Sequence, residues 1–148
     1  MKKILVSLVV PFIVTAIFSS CQKSSSAVVL TKTDFLVESP WKITKFETKA
    51  HANDAYVDQF PGLQACTKDD LYTFARSNTY QLTEGATKCN ANDPDLIFTG
   101  FWQFQQNETI LQMDNVSYNL LRLTDTLIIS NATFLAPDST YNRITLAH

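Results

Sequence analysis

The sequence predicts an all-β protein, an eight-stranded up-and-down antiparallel β-barrel with a short N-terminal helical turn. Three observations carry the prediction. Short runs rich in aromatic and β-branched residues recur from Trp41 to Leu146, polar turns of a few residues join them, and no long amphipathic helical period interrupts them. Eight strands in hairpin order close most economically as a barrel, which leaves no free edge; a two-sheet sandwich is the alternative closure.

The chain of 148 residues opens on a processing signal rather than on domain structure. Lys2 and Lys3 precede an apolar run from Ile4 to Phe18, followed by the small residues Ser19 and Ser20, the pattern of a secretory signal. An uncleaved membrane anchor is the competing reading, but a span needs about 20 apolar residues. This run is shorter and holds Ser7, Pro11 and Thr15. Phe18-Ser19-Ser20-Cys21 resembles the lipobox of bacterial lipoproteins, with Phe where that family usually has Leu. The resemblance implies cleavage before Cys21 and acylation of its thiol. Residues 1–20 are then a signal peptide, 21–32 a lipidated polar tether and 33–148 a single domain. Attachment to the membrane comes through acyl chains on Cys21, several being needed because one chain binds only marginally. Gln22 after the cysteine resembles an outer-membrane address, which places the domain in the bacterial cell envelope facing the periplasm.

Without Lys2 and Lys3, ten Lys and Arg stand against fourteen Asp and Glu. That balance, with no basic run after residue 21, excludes nucleic acid as a partner and leaves no basic patch for an anionic membrane surface.

Thr33 to Val37 reads as one helical turn capped by Thr33, and Trp41 to Glu47 as the first strand. The next segment, 48–65, is too long for a structureless connection without a role. It is expected to lie over one barrel mouth, with Tyr56, Phe60 and Leu63 packing into it. Two cysteines, Cys66 and Cys89, then bracket a hairpin. A three-residue loop, Arg76-Ser77-Asn78 with Asn78 left-handed, opposes Phe74 to Tyr80 and Tyr72 to Leu82 and keeps one face apolar. Continued, this register puts Cys66 across from Lys88, a slip that a bulge at Gly85 absorbs before Cys89. In an oxidising envelope the pair is expected to be a disulfide. Two separate thiols or a metal pair are the alternatives, though no further Cys or nearby His completes a tetrahedral set.

The run 96–104 and the run 109–113 turn about Asn107 and Glu108, setting Phe104 opposite Leu111 and Trp102 opposite Met113. The next turn, Asp114-Asn115, opposes Leu111 to Tyr118. In 116–123, Tyr118 and Leu120 share one alternation while Leu123 falls on the other, which predicts a bulge. Runs 127–134 and 140–146 complete the eight.

Trp41 on the first strand, "CTKDDLYTF", "NTYQLTEGATKC", "GFWQF", "ETILQM" and "SYNLLRLTDTLII" together resemble the lipocalin-like domains of bacterial envelope lipoproteins over residues 35–147. Asn78 stands where that family has Gly in the hairpin turn, and Ser39-Pro40 replaces Gly-Lys before the tryptophan. The resemblance implies a small barrel with an apolar ligand cavity, and an Arg near the chain end packed on the tryptophan, for which Arg143 is the candidate. The interior and mouth residues expected to meet a small apolar ligand or lipid are Trp41, Tyr56, Phe60, Tyr72, Phe74, Tyr80, Trp102, Phe104, Met113 and Tyr118. A barrel of eight strands either is filled by side chains or holds one small ligand, and so many large aromatics favour a narrow interior.

No catalytic residues or cofactor site are predicted. His51 and His148 accompany no nucleophile elbow, and Gly62, Gly85 and Gly100 are too scattered for a phosphate loop. Asp69 and Asp70 are adjacent and would point to opposite faces of a strand, as solvated or turn-capping groups. "NANDPD" (90–95) lacks the spacing of a calcium loop and suits a plain turn, so no metal site is expected.

Overall fold

The computed structural model describes residues 29–135 and 138–148; the signal-like segment, Cys21 and most of the tether lie outside the described residues. Strands β1 (Trp41–Lys49), β3 (Leu71–Phe74), β4 (Thr79–Thr83), β5 (Leu96–Gln105), β6 (Ile110–Met113), β7 (Val116–Leu123), β8 (Thr126–Leu135) and β9 (Asp138–Ala147) follow one another as antiparallel neighbours, and β1 pairs with β9 to close the barrel. A two-residue strand, β2 (Val57–Asp58), hangs on β1 through Glu47 and Thr48.

The hairpin registers follow the apolar alternation. Phe74 opposes Tyr80, Tyr72 opposes Leu82, and Asn78 turns the chain at φ 63°. Trp102 opposes Met113, Phe104 opposes Leu111, and Leu111 opposes Tyr118. The bulge in β7 falls between Leu120 and Arg122. One-residue slips would expose each buried face to water, so burial holds each register.

Helix α1 (Lys32–Leu36) closes one end. Its cap is Thr31, not Thr33: the Thr31 hydroxyl accepts from the Asp34 N–H at 3.2 Å while the Asp34 carboxylate accepts from the Thr31 N–H at 2.7 Å. This reciprocal box satisfies two amides that the helix leaves unpaired. Asp34 also takes a 2.6 Å ion pair from Arg76 in the β3–β4 turn, tying helix to barrel. The Thr31 hydrogen bonds first, then Arg76, hold the Asp34 carboxyl well below its usual range.

The disulfide region departs from a simple hairpin clamp. The β3–β4 ladder ends at Leu71–Thr83, and Glu84 leaves it to donate its N–H to the Asp95 carbonyl. Cys66 sits on a short helix, α2 (Ala65–Lys68), and its bridge to Cys89 has Cα atoms 5.1 Å apart. It therefore joins the β1–β3 connection to the β4–β5 connection. Gly85 is not a strand bulge either. A Cβ there would lie 2.1 Å from the Asp69 carbonyl oxygen, so glycine is required by main-chain approach. Gly85→Ala is expected to lower stability by about 2 kcal/mol or more, because the obstacle is backbone that cannot rotate away; urea unfolding of the variant measures it, and an unchanged midpoint would refute the contact.

Arg143 does not pack on Trp41. Strand β9 turns Ile144 and Leu146 inward, so Arg143 faces outward, where Nε and Nη2 meet Glu47 at 2.7 and 2.8 Å and its guanidinium lies 4.1 Å from the Tyr56 ring centroid. The ring on Trp41 belongs to His148, 3.9 Å away between centroids. Glu47 is only 5% exposed, and the Arg143 hydrogen bonds, aided by Lys45, outweigh burial and hold its carboxyl at about 2 against an ordinary 4.5. A lowered acid stabilises the fold above its unfolded value and loses that contribution as pH falls toward its folded value. The difference between wild type and Glu47→Gln is thus expected to be constant above pH 4.5 and to vanish by about pH 2; at 1.36 kcal/mol per unit it amounts to roughly 3 kcal/mol. Denaturant titrations across that range test it, and a pH-independent difference would contradict the pairing.

Candidate functional site

The core holds Trp41, Phe74, Tyr80, Trp102, Leu111, Leu127, Ile129 and Leu146 together with Leu36 from α1. Rings meet within it: Phe74 and Trp102 edge to face at 6.0 Å, Trp102 and Phe104 likewise at 5.5 Å. Such offsets suit the aromatic quadrupoles. The polar ends of both tryptophans are satisfied, Trp41 Nε1 by the Leu36 carbonyl at 2.8 Å and Trp102 Nε1 by the Ala75 carbonyl at 3.0 Å. The interior cavity that remains measures about 50 Å³ and is lined by Ile43, Tyr72, Phe74, Met113, Tyr118, Leu127, Ile129, Ile144 and Leu146.

Of the residues expected to meet a ligand, Tyr72, Phe74, Met113 and Tyr118 border this cavity. Trp41, Tyr80, Trp102 and Phe104 belong to the packed core around it. Tyr56 and Phe60 lie elsewhere. Tyr56 is stacked on Arg143 and Lys49, on the outer face of β1 and β9, and Phe60 packs beneath Lys68 of α2. The 48–65 segment is laid along the outside of β1, because β2 pairs there and Gln59 donates to the Phe46 carbonyl at 2.7 Å.

The mouth has a notch that the strand pattern did not announce. Strand β5 pairs with β4 from Leu96 to Phe101 but with β6 only from Trp102 to Gln105, while β8 meets β7 only as far as Ser130. Above the short β6–β7 hairpin, β5 and β8 therefore face each other without a strand between them. Phe98 turns inward opposite Leu82 yet is 46% exposed, and Leu96 and Ile97 beside it are similarly open.

Carboxylates frame the same end. Asp70 and Glu84 flank the last rung of the β3–β4 ladder, and each keeps one buried oxygen, Oδ1 and Oε2, without a hydrogen-bond partner. Burial first, then Glu84 and Asp69, pushes the Asp70 carboxyl up. Asp69 turns away to cap Thr87, accepting from its N–H at 2.9 Å, as a turn residue does. Tyr72 and Tyr118 are raised chiefly by burial. Asp93 and Asn90 accept hydrogen bonds from backbone N–H groups within their own turn, and among the described residues no group of three or more His, Cys, Asp and Glu is placed to hold a metal.

Asp114 is the site residue that the alternation could not reveal. At φ 50° it points its carboxylate back into the wall, accepting from the Tyr80 hydroxyl at 2.7 Å and the Phe101 N–H at 2.9 Å. Gly100 makes room, since a Cβ there would lie 2.6 Å from both the Tyr80 ring and the Asp114 carboxylate. Burial and this hydrogen bond raise the Tyr80 hydroxyl above its usual range.

Fold and interior together define a closed, nearly filled, disulfide-bonded antiparallel barrel. No family model matches the chain, and no curated protein matches it.

Proposed function

We propose that the chain is a lipid-anchored cell-envelope protein whose filled, lipocalin-like barrel works through its surface, as a structural or interaction module held at the outer membrane by Cys21. The observation that carries this reading is the interior cavity of about 50 Å³, against the roughly 300–1,000 Å³ of small-molecule sites. The Cys66–Cys89 bridge supports an oxidising compartment. The described residues before α1 lead into the closed end of the barrel, opposite the notched mouth. The surface offered there is Leu96, Ile97 and Phe98.

A second reading keeps a small apolar molecule or lipid at the mouth. It is favoured by Phe98, exposed and inward-turned at the same end as Tyr72, Met113 and Tyr118. Native mass spectrometry of the lipidated full chain, extracted gently from the envelope, separates the two. A stoichiometric protein partner on a chain carrying only its acyl groups supports the surface module. An additional apolar adduct that leaves on denaturation supports the ligand reading, and an intact mass showing a free, unacylated Cys21 would overturn the anchor.

A further inference from the structure

We infer that the closed end of the barrel carries a binding groove for a neutral oligosaccharide. The argument begins with backbone strain. Five non-glycine residues have positive φ among the described residues: Asn78, Gln106, Asn107, Glu108 and Asp114. All five border two adjoining grooves of about 510 and 260 Å³, which share Asn78, Trp102 and Gln103. Left-handed geometry is ordinary for Asn and Asp in hairpin turns, but Gln106 and Glu108 gain no such local relief. Strain of this kind persists where the surroundings over-determine it, and it gathers at ligand sites.

Those surroundings are explicit. Lys32 Nζ of α1 donates to the Glu108 carbonyl at 2.6 Å, and the Thr109 hydroxyl to the Gln106 carbonyl at 2.8 Å. Asn78 Nδ2 donates to the Trp102 carbonyl at 3.2 Å. On the adjoining face, Gln103 and Gln105 both donate to Gln112 Oε1, and Gln112 in turn donates to the Asp114 carbonyl. The amides are thus held in place before any ligand arrives, which reduces the ordering cost of binding.

The chemistry on offer selects the ligand. Hydroxyl groups both donate and accept, and so do primary amides, of which Gln103, Gln105, Gln106 and Asn107 border the groove. Gln103 and Gln105 keep their carbonyl oxygens free of the Gln112 contact. Phe101, 69% exposed in the smaller groove, presents an apolar ring for the C–H face of a sugar. Anions are disfavoured, because Arg76 is paired with Asp34 and the acidic residues Glu108 and Asp114 border the grooves. Strand addition by a peptide is disfavoured too. The β4 ladder stops at Thr79–Phe101, so only the backbone of Phe104 faces that side without a strand, too short an edge to hold one. Volume is sufficient, since the larger groove alone lies within the range of small-ligand sites. The larger groove lies toward α1, on the other side of the β5 partner change from the notch, and neither groove shares a lining residue with Leu96, Ile97 and Phe98, so the proposal is tested apart from the surface module proposed above.

The test uses the full chain in a detergent without a sugar headgroup. Chitotetraose and cellotetraose are titrated while the side-chain amide signals of Gln103, Gln105 and Asn78 and the Trp102 indole N–H are followed by NMR. A saturable shift of these signals with either sugar, insensitive to salt, is expected; the arm that binds more tightly tells an N-acetylated chain from a plain one. Phe101→Ala and Gln105→Ala are each expected to weaken binding at least tenfold while leaving the melting temperature within a few degrees, and Leu121→Ser, on β7, to change nothing. No shift with either sugar at millimolar concentration, shifts that reappear with an uncharged extended peptide instead, or binding unchanged in both groove variants would overturn the proposal.

Discussion

Replacing Trp41 by alanine is expected to destabilise the barrel by about 3–5 kcal/mol, the range for truncating a fully buried aromatic residue. Nothing of this side chain reaches solvent, and it is the floor of the interior, between Leu36 of α1 and the His148 ring. Its loss leaves a cavity and also strands the Leu36 carbonyl that now accepts from Nε1. Trp41→Phe is the milder change, since it keeps most of the apolar area while losing part of the ring and the hydrogen bond, for about 1–3 kcal/mol. Domains of this size have a total stability of about 5–15 kcal/mol, so the alanine variant should unfold at a visibly lower urea concentration. A loss below 1 kcal/mol would mean that the base of the barrel is not closed as described.

Removing the disulfide is the other large effect. Cys66 and Cys89 are separated by 23 positions, and closing a loop of that length limits the unfolded chain by about 3 kcal/mol in the chain-entropy model. The double variant Cys66→Ala/Cys89→Ala, which leaves no odd thiol, should lose that amount and become indifferent to reductant, whereas the wild type under reductant should fall to the same midpoint. Equal midpoints for oxidised wild type and double variant would show that the bridge does not form or constrains nothing. The anchoring points predict where the loss is felt. The bridge links the connections on either side of the β3–β4 hairpin, so faster amide exchange is expected around α2 and Gly85 before it reaches the core.

Much of the barrel was legible in the residues because the relevant physics is local. A strand alternates with period two, a hairpin joins neighbours in sequence, and a left-handed Asn78 or a mismatch at Leu123 is visible within ten residues. The same locality explains the errors. Thr31 and Thr33 are equally plausible caps until Asp34 selects one. Alternation from Ile144 and Leu146 assigns Arg143 outward, as the structure has it, whereas the family resemblance implies a contact with Trp41 that this chain does not make. The length of the 48–65 segment suggests a cover over the mouth with Tyr56 beneath it, whereas β2 draws the segment along the outside.

The candidate sites were far less readable. Asp70 and Glu84 come together only because two segments leave the same rung, and Asp114 meets Tyr80 only because Gly100 stands bare between them. The amide groove draws on α1 and three separate strands or turns.

By itself, the sequence determined the strands, their order, their hairpin registers and most inward-facing residues, since each of these is settled by alternation and turn chemistry between neighbours. Only the tertiary structure decided that the interior is nearly full, that β5 changes partners midway to leave a notch above and a groove below, and which carboxylates and amides face one another. Those are questions of volume and of groups brought together across the closed barrel, and no short-range pattern contains them.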